Sequence, residues 1–386
     1  MKKLILFILC IPVVLIIIVL INTFLFTSNQ DKVPAVTPVK VEQDVVVGNL
    51  SQAIQHRTLS TQDSSKFNPE PFLKFNAFLE QTYPLMHQKL EREVVNGYSL
   101  LYKWAGSDES LKPVMFLAHI DVVPVEPGTQ KDWKYDAFSG QIADGFVWGR
   151  GALDMKSTLM GLMEATESLI QTGFRPKRTI YFAFGHDEEI GGSEGAARIA
   201  ALFKARGIRL AFTLDEGMAI LNEALSPAKK QLAVIGLAEK GYVTLKISVE
   251  TKGGHSSMPP NQTSLGILSK AVSQLEQNQM PASLSGAVGL LFDTIGPDLP
   301  FVQKALFANQ WLFKGLIIGQ LSKKNTTNAM IRTTTAPTIM TGGVKENVLP
   351  SKAHALVNFR ILPGDTVSDV VTHAKNVIDD PNVQIT

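Results

Sequence analysis

The chain has almost no cysteine. Of 386 residues only Cys10 is one, and it lies inside an apolar N-terminal run. Everything after that run is therefore without disulfides, thiolate metal sites or cysteine nucleophiles. An excess of charge of one sign is also missing: the formal net charge is +2, so nothing in the composition argues for a nucleic-acid partner. No Ala-x-Ala cleavage pattern follows the one long apolar stretch, Leu4 to Phe26, which is broken only by Asn22 and Thr23. A cleavable signal has an apolar region of about 7–15 residues, whereas this run is long enough to cross a bilayer core of about 30 Å as a helix. The expectation is a transmembrane signal anchor over 4–26, with cleavage as the alternative. Lys2 and Lys3 place the N-terminus in the cytoplasm, and so the body of the chain on the periplasmic, extracellular or luminal side. Residues 27–43, polar with Pro34 and Pro38, read as a tether.

What remains is long enough for two or three domains. Asp44 to Thr58 carries Val46, Val47, Leu50 and Ile54 at helical spacing. Asn68 and Pro69 are an N-cap and first helical position for a helix burying Phe72, Leu73, Phe75, Phe78 and Leu79. Val94 to Trp104 and Pro113 to Ala118 read as strands, and Lys156 to Gln171 as a helix. Tyr181 to Phe184 is a buried strand and Ser193 to Arg206 an alanine-rich helix. Leu210 to Leu214 and Gln231 to Leu237 are short apolar runs. Strands and helices alternating from about residue 94 to 240 predict an α/β domain, a largely parallel sheet flanked by helices.

The strand ends carry the chemistry. The strand Tyr181–Phe184 breaks at Gly185 and delivers Asp187, Glu188 and Glu189 together. Adjacent carboxylates repel, and a cation would relieve them; a solvated acidic turn is the plainer alternative. Pro113–Ala118 runs into His119-Ile120-Asp121, a spacing in which a carboxylate can take the second ring proton of a ligating histidine. Asp154 follows a Gly-Arg-Gly turn at the start of a helix, where capping is the competing role. Asp215-Glu216-Gly217 closes the next short strand.

Together with Gly253-Gly254-His255-Ser256-Ser257, these motifs resemble in order and spacing the zinc-dependent carboxypeptidase and aminoacylase family, metallopeptidase family twenty. The likeness is strongest to its membrane-anchored carboxypeptidase S and N-fatty-acyl-amino-acid branch. It extends from about residue 45 to the last residue. The resemblance implies a zinc-exopeptidase-like catalytic domain with two Zn2+ ions, for which Co2+ or Mn2+ can substitute. His119 and Asp215 would hold one ion, Glu189 the other, and Asp154 would bridge them. Asp121 would orient His119, and Glu188 would be the general base. The substrate would be a small peptide or an N-acyl amino acid, hydrolysed at its amide bond.

After Glu239-Lys240-Gly241 the pattern changes to alternating strands, Tyr242 to Glu250, Ile331 to Thr341 and Ala353 to Ile361. Helices are expected at Thr263–Gln277, Lys304–Gln320 and Thr366–Ile378, and a loop-rich stretch at Ala282–Phe301. The apolar helix Lys304–Gln320 is expected to pack internally, with a membrane or dimer surface as the alternative. The resemblance makes 44–241 the first part of the catalytic domain and 242–386 an inserted α+β lid and dimerisation domain, through which a homodimer would form. His255 would stabilise the oxyanion, while Asn347 and Arg360 would bind the substrate carboxylate, for which guanidinium donors are suited. The family's last zinc ligand, a histidine in a His-Gly-x-Asn-Glu type context, has no counterpart after His255. The sequence is therefore expected to be C-terminally truncated. The competing expectation is a fragment or pseudoenzyme that binds one zinc or a carboxylated ligand without turnover.

Overall fold

The computed structural model describes residues 2–28, 30, 40–217, 220–221 and 232–386. Most of the expected tether, and the start of the run at Gln231, lie outside them. The chain forms two compact units, residues 34–217 and residues 218–386 together with 1–33.

The first unit is built on a five-stranded sheet. Its strands are β1 (Glu91–Val95), β2 (Ser99–Trp104), β3 (Val114–His119), β4 (Ile180–Gly185) and β5 (Thr213–Leu214), in the order β1-β2-β4-β3-β5. The expectation of a largely parallel sheet needs correction. β4, β3 and β5 run parallel, but β1 and β2 form an antiparallel hairpin and β2 is antiparallel to β4. The expected single strand Val94–Trp104 is thus the last two residues of β1, the turn and all of β2. Asn96 (φ 50°) and Gly97 (φ 82°) turn the chain back between β1 and β2, the left-handed pair that a tight hairpin turn requires.

Alternation along the strands sends side chains to two cores. Leu100, Tyr102, Phe182 and Phe184 pack with Phe72, Phe75 and Leu79 of α3 (Glu70–Thr82) and with Leu159 and Met163 of α5 (Ser157–Gln171). Leu101, Tyr181 and Ala183 pack on the other face with Ile199 and Phe203 of α6 (Ala196–Ala205). Each fully buried Leu or Phe contributes about 1.5–3 kcal/mol, so the β4 alternation alone fixes which face every strand-end residue leaves from. The side chain of Asn68 accepts the Glu70 N–H at 3.1 Å to start α3.

Helix α2 (Gln43–Gln55) lies against α5 and ends at His56, whose ring sits 5.5 Å from Phe75 and 5.2 Å from Phe78. Burial first, then the ammonium groups of Lys156 and Lys74, push His56 from 6.5 down to about 4. Between those values the unfolded chain takes up a proton that the folded chain refuses, so stability falls as pH drops through that window. For a half-buried ring the loss is about 1–2 kcal/mol after screening. His56→Phe should flatten the difference in urea midpoint between pH 7 and pH 5. Burial also lowers His87 and His186, so part of the acid sensitivity will remain.

The second unit contains an antiparallel sheet of β6 (Gly241–Glu250), β7 (Thr334–Gly342), β8 (Lys352–Ile361) and β9 (Val383–Ile385), ordered β7-β8-β6-β9. Leu245, Ile247 and Val249 of β6 and Ala355, Val357 and Phe359 of β8 face α7 (Ser264–Gln277) and α12 (Val367–Ile378). Helices thus cover one face, as the one-sided alternation predicts. Thr366 and Asp369 close α12 with reciprocal side-chain caps.

Two readings of this region are corrected. Part of the loop-rich stretch is helical, as α8 (Ala287–Ile295). The single apolar helix is two, α9 (Phe301–Ala308) and α10 (Gln310–Leu321), followed by α11 (Asn325–Ile331). The break is at Asn309, fully buried, whose side-chain N–H2 donates to the Ala305 carbonyl at 2.9 Å. Internal packing holds for one side only: Ile317 is buried and Leu306, Phe307 and Phe313 pack around it, while Phe301, Val302, Trp311 and Leu316 stay exposed. The N-terminal helix α1 (Lys2–Leu25) joins this unit through α9. Its side chains are described from Ile11 onward. Among the described residues no helix is long and apolar enough to cross a membrane, so the expected spanning anchor is not supported there.

Candidate metal centre

The parallel strands β3, β4 and β5 end at one edge of the first sheet, and each is followed by ionisable residues. His119 pairs in register with Gly185, so the loop after β4 begins level with the imidazole. Asp121, fully buried, joins the two strand ends. Its two carboxylate oxygens accept the backbone N–H of Glu188 at 3.0 Å and of Glu189 at 3.1 Å. The next turn is anchored from the opposite side. Asp187 turns inward to accept the Glu194 N–H at 2.7 Å, and His186 Nδ1 lies 2.7 Å from the Ser99 hydroxyl. A Cβ on Gly195 would come within 2.6 Å of Asp187, so only glycine lets the loop close here.

Asp154 reaches the site on its own turn. Gly151 has φ 81°, and a Cβ there would lie 2.6 Å from Val122, so this corner also requires glycine. Asp154 keeps an extended backbone (φ −115°, ψ 100°), and α5 begins only at Ser157. It therefore caps no helix. Its carboxylate lies 3.0 Å from His119 Nε2, within the acid cluster. Lys156, two residues on and fully buried, secures this turn from behind: its ammonium donates to the carbonyls of Ala53 at 3.0 Å and His56 at 2.6 Å. Burial lowers its pKa to about 7, opposed by Asp121.

His119 is the centre of the cluster. Its Nδ1 lies 2.9 Å from the Asp121 carbonyl and 3.4 Å from the Asp121 carboxylate. With Nδ1 held there, Nε2 faces the acids. Around Nε2 lie Asp154 at 3.0 Å, Glu216 at 3.6 Å and Glu188 at 3.9 Å. One ligand atom from each of His119, Asp154 and Glu216 falls within 4.8 Å of the others. The acid brought to His119 after β5 is thus Glu216. Asp215 instead uses its carboxylate to accept the Glu216 N–H at 2.9 Å, and borders a cavity with His119 and Glu188. Sequence reasoning passed over Glu216, although it sits in an acidic pair of the same form as Glu188-Glu189. Glu189 is held at its backbone by Asp121, outside the three-residue cluster.

Electrostatics define what belongs here. Burial tends to lower His119, but the carboxylates of Asp121, Glu216 and Asp154 outweigh it and carry the imidazole up to about 10. Burial first, and then repulsion from neighbouring acids, raises Glu188, Glu189 and Glu216, with His119 opposing. Crowded carboxylates and an imidazole with a tied Nδ1 are the donor set of a divalent metal, and the arrangement fits one. The adjoining cavity of about 510 Å³ is lined mainly by apolar groups, among them Met115, Leu117, Ile199 and Phe203.

The remaining candidates lie in the second unit. The two-residue ladder Gly254–His255 with Val348–Leu349 brings His255 beside Asn347, whose carbonyl accepts the Ser256 N–H at 3.1 Å. His255 is exposed, and its Nδ1 accepts the Ser257 backbone N–H at 3.2 Å. Nδ1 is thus engaged within its own loop, which leaves Nε2 to meet other groups. Arg360 sits opposite Tyr242 across β8 and β6, its guanidinium 4.9 Å from the ring centre. The structure thus brings His255 and Asn347 together and leaves Arg360 toward the other end of β8.

Comparison with known proteins gives matches along most of the chain. Residues 115–292 match Peptidase family M20/M25/M40, and residues 237–386 match the peptidase dimerisation domain. The chain is 42% identical over 381 residues to the probable carboxypeptidase S-like 2 of Dictyostelium discoideum, covering 96% of this chain and 73% of that protein. It is 39% identical to the N-fatty-acyl-amino acid synthase/hydrolase PM20D1 of Xenopus tropicalis, covering 97% of this chain and 74% of the relative. Its fold is similar to the M20 family metallo-carboxypeptidase Sso-CP2 from Sulfolobus solfataricus, with a TM-score of 0.56 and 19% identity over 88% of this chain and 77% of that one.

Proposed function

The chain belongs to peptidase family M20/M25/M40 and carries its dimerisation domain, and from that premise we propose that it is a zinc-dependent hydrolase of amide bonds. It would remove C-terminal residues from peptides or cleave N-acyl amino acids. The observation that carries the reading is His119 Nε2 facing Asp154 and Glu216, with Asp121 behind the ring and the Glu188-Glu189 turn clamped beside it. His119 and Asp154 hold metal, with Glu189 on the second ion. The acid after β5 completes the first site: Glu216 by its geometry, Asp215 by the family pattern. Bound there, a zinc pair supplies Lewis acidity toward the amide carbonyl and acidifies water.

This chain's own groups do the rest. Glu188 takes the proton of the attacking water and returns it to the leaving amine. His255, through Nε2–H, donates to the oxygen that gains charge. Asn347 and Arg360 bind the substrate carboxylate. The eight steps from Lys352 to Arg360 span about 26 Å of strand, so one lid holds its His255–Asn347 end and its Arg360 end far apart. That separation supports a homodimer. The apolar run from Leu4 and the paired lysines before it support a cytoplasmic N-terminus, with both units tethered on the opposite side of a membrane.

The test is metal analysis beside hydrolysis of dipeptides and N-acyl amino acids. Hydrolysis that is lost on chelation and restored by zinc is the expected result; chelator-resistant turnover would sink the reading. Comparing Asp215→Ala with Glu216→Ala for loss of bound zinc decides which acid completes the first site.

A further inference from the structure

Helices α8 to α11 form an apolar cluster of their own, with Leu284, Phe292, Ile295, Ile317 and Ile331 inside. What they leave outside is also apolar. Phe301, Val302, Trp311 and Leu316 are 52, 68, 60 and 52 % exposed, all on the two helices that sequence reading would have packed away. A patch of this kind on a polar-rimmed protein marks an interaction surface.

The N-terminal helix shows what covers it. The end of α1 is latched to the α9–α10 corner. Asn22 donates to the Asn309 side chain at 2.9 Å, and Asn309 donates to the Val19 carbonyl at 3.2 Å. Phe24 packs 6.1 Å from Phe301, and the Phe26 ring sits where a Cβ on Gly296 would meet it at 2.6 Å. Beyond this latch, Ile11, Val13, Val14, Ile16, Ile17 and Ile18 are all 39–58 % exposed. Successive helical positions point in all directions, so α1 is apolar around its circumference from Ile11 to Ile18. A protein partner would bury one stripe, whereas lipid covers every side. The α9–α10 patch continues this surface at the end where α1 emerges. The charge agrees: no Asp or Glu occurs from Leu299 to Lys345, while Lys304, Lys314, Lys323, Lys324 and Arg332 do. Basic residues flanking an apolar, Trp-bearing helix suit an anionic headgroup layer.

We propose that α9 and α10 form an interfacial platform that lies on the phospholipid bilayer, beside the end of α1, and holds the second unit against the membrane surface. Attachment of this kind is independent of the hydrolase reading. It rests on α1 entering the bilayer, which the experiment reads separately.

The full chain would be reconstituted into phosphatidylcholine–phosphatidylserine vesicles with and without lipids brominated on their acyl chains, and compared with Trp311→Phe. The expected result is a quenched tryptophan component in brominated vesicles that is absent from Trp311→Phe. A second variant, Leu312→Glu with Leu316→Glu, should restore Trp311 emission while the chain stays in the vesicle fraction. Vesicle-bound chain whose Trp311 emission ignores bromine overturns the platform. So does Trp311 shielded from aqueous acrylamide without lipid, which would assign the face to a second copy. A chain absent from the vesicle fraction overturns the platform together with the anchor.

Discussion

Glu188→Gln should lower hydrolysis by about 10²–10⁴-fold, the usual range for a positioned proton-transfer group, while bound metal stays unchanged. The backbone N–H of Glu188 is held by Asp121 at 3.0 Å whatever the side chain is, so glutamine leaves the turn in place. Only the ability to take a proton disappears. The side chain lies 3.9 Å from His119 Nε2, and its pKa is raised by burial and by Asp121, Asp154 and Asp215 against the opposing His119. A raised carboxylate suits a base that must also return its proton near neutral pH. Single-turnover hydrolysis measured beside zinc content checks this. Unchanged turnover, or turnover lost only in step with metal, removes Glu188 from the role.

The second large effect is expected at Asp121. It is fully buried, and its two oxygens accept two different backbone N–H groups while facing His119 Nδ1. Asp121→Asn keeps the shape but sets an NH2 donor against one of those N–H donors. Leaving such a buried group unmatched costs about 1–3 kcal/mol. Loss of a carboxylate behind a ligating histidine weakens metal binding by about 10–100-fold. The variant should therefore lose stability in urea unfolding without metal and need more zinc to reach full occupancy. Normal zinc affinity in Asp121→Asn would show that the Asp121 carbonyl, at 2.9 Å, orients His119 unaided.

Which strand ends carry acids was legible in the sequence; strand direction was not. Residues at strand ends announce themselves, because an apolar strand that stops at His119 or Gly185 and turns acidic places charge at the rim of a core, where it must be compensated. The placement of Asp154 was not readable, since a capping and a metal-facing carboxylate occupy the same place before a helix; its extended backbone excludes the cap. The choice between Asp215 and Glu216 depends on how the chain leaves a two-residue strand, and periodicity carries no information over so short a run. Strand direction was hidden for a similar reason. The turn at Asn96-Gly97 is a hairpin signal, but β1 before it is largely exposed and polar, so the pattern began only at Val94. The apolar stretch after Lys304 reads as one helix because Asn309 tolerates helix by composition. Its break comes from burial against α1, nearly three hundred residues away in sequence, which no local pattern encodes.

The imidazolium at His119, with its affinity for a proton carried up to about 10, bears on how the centre fills. A proton held on this ring offsets the surrounding acids, of which Asp154 lies 3.0 Å from Nε2. His119 would have to give up that proton in order to hold a divalent ion. Uptake should acidify a weakly buffered solution and grow weaker as the medium turns acidic.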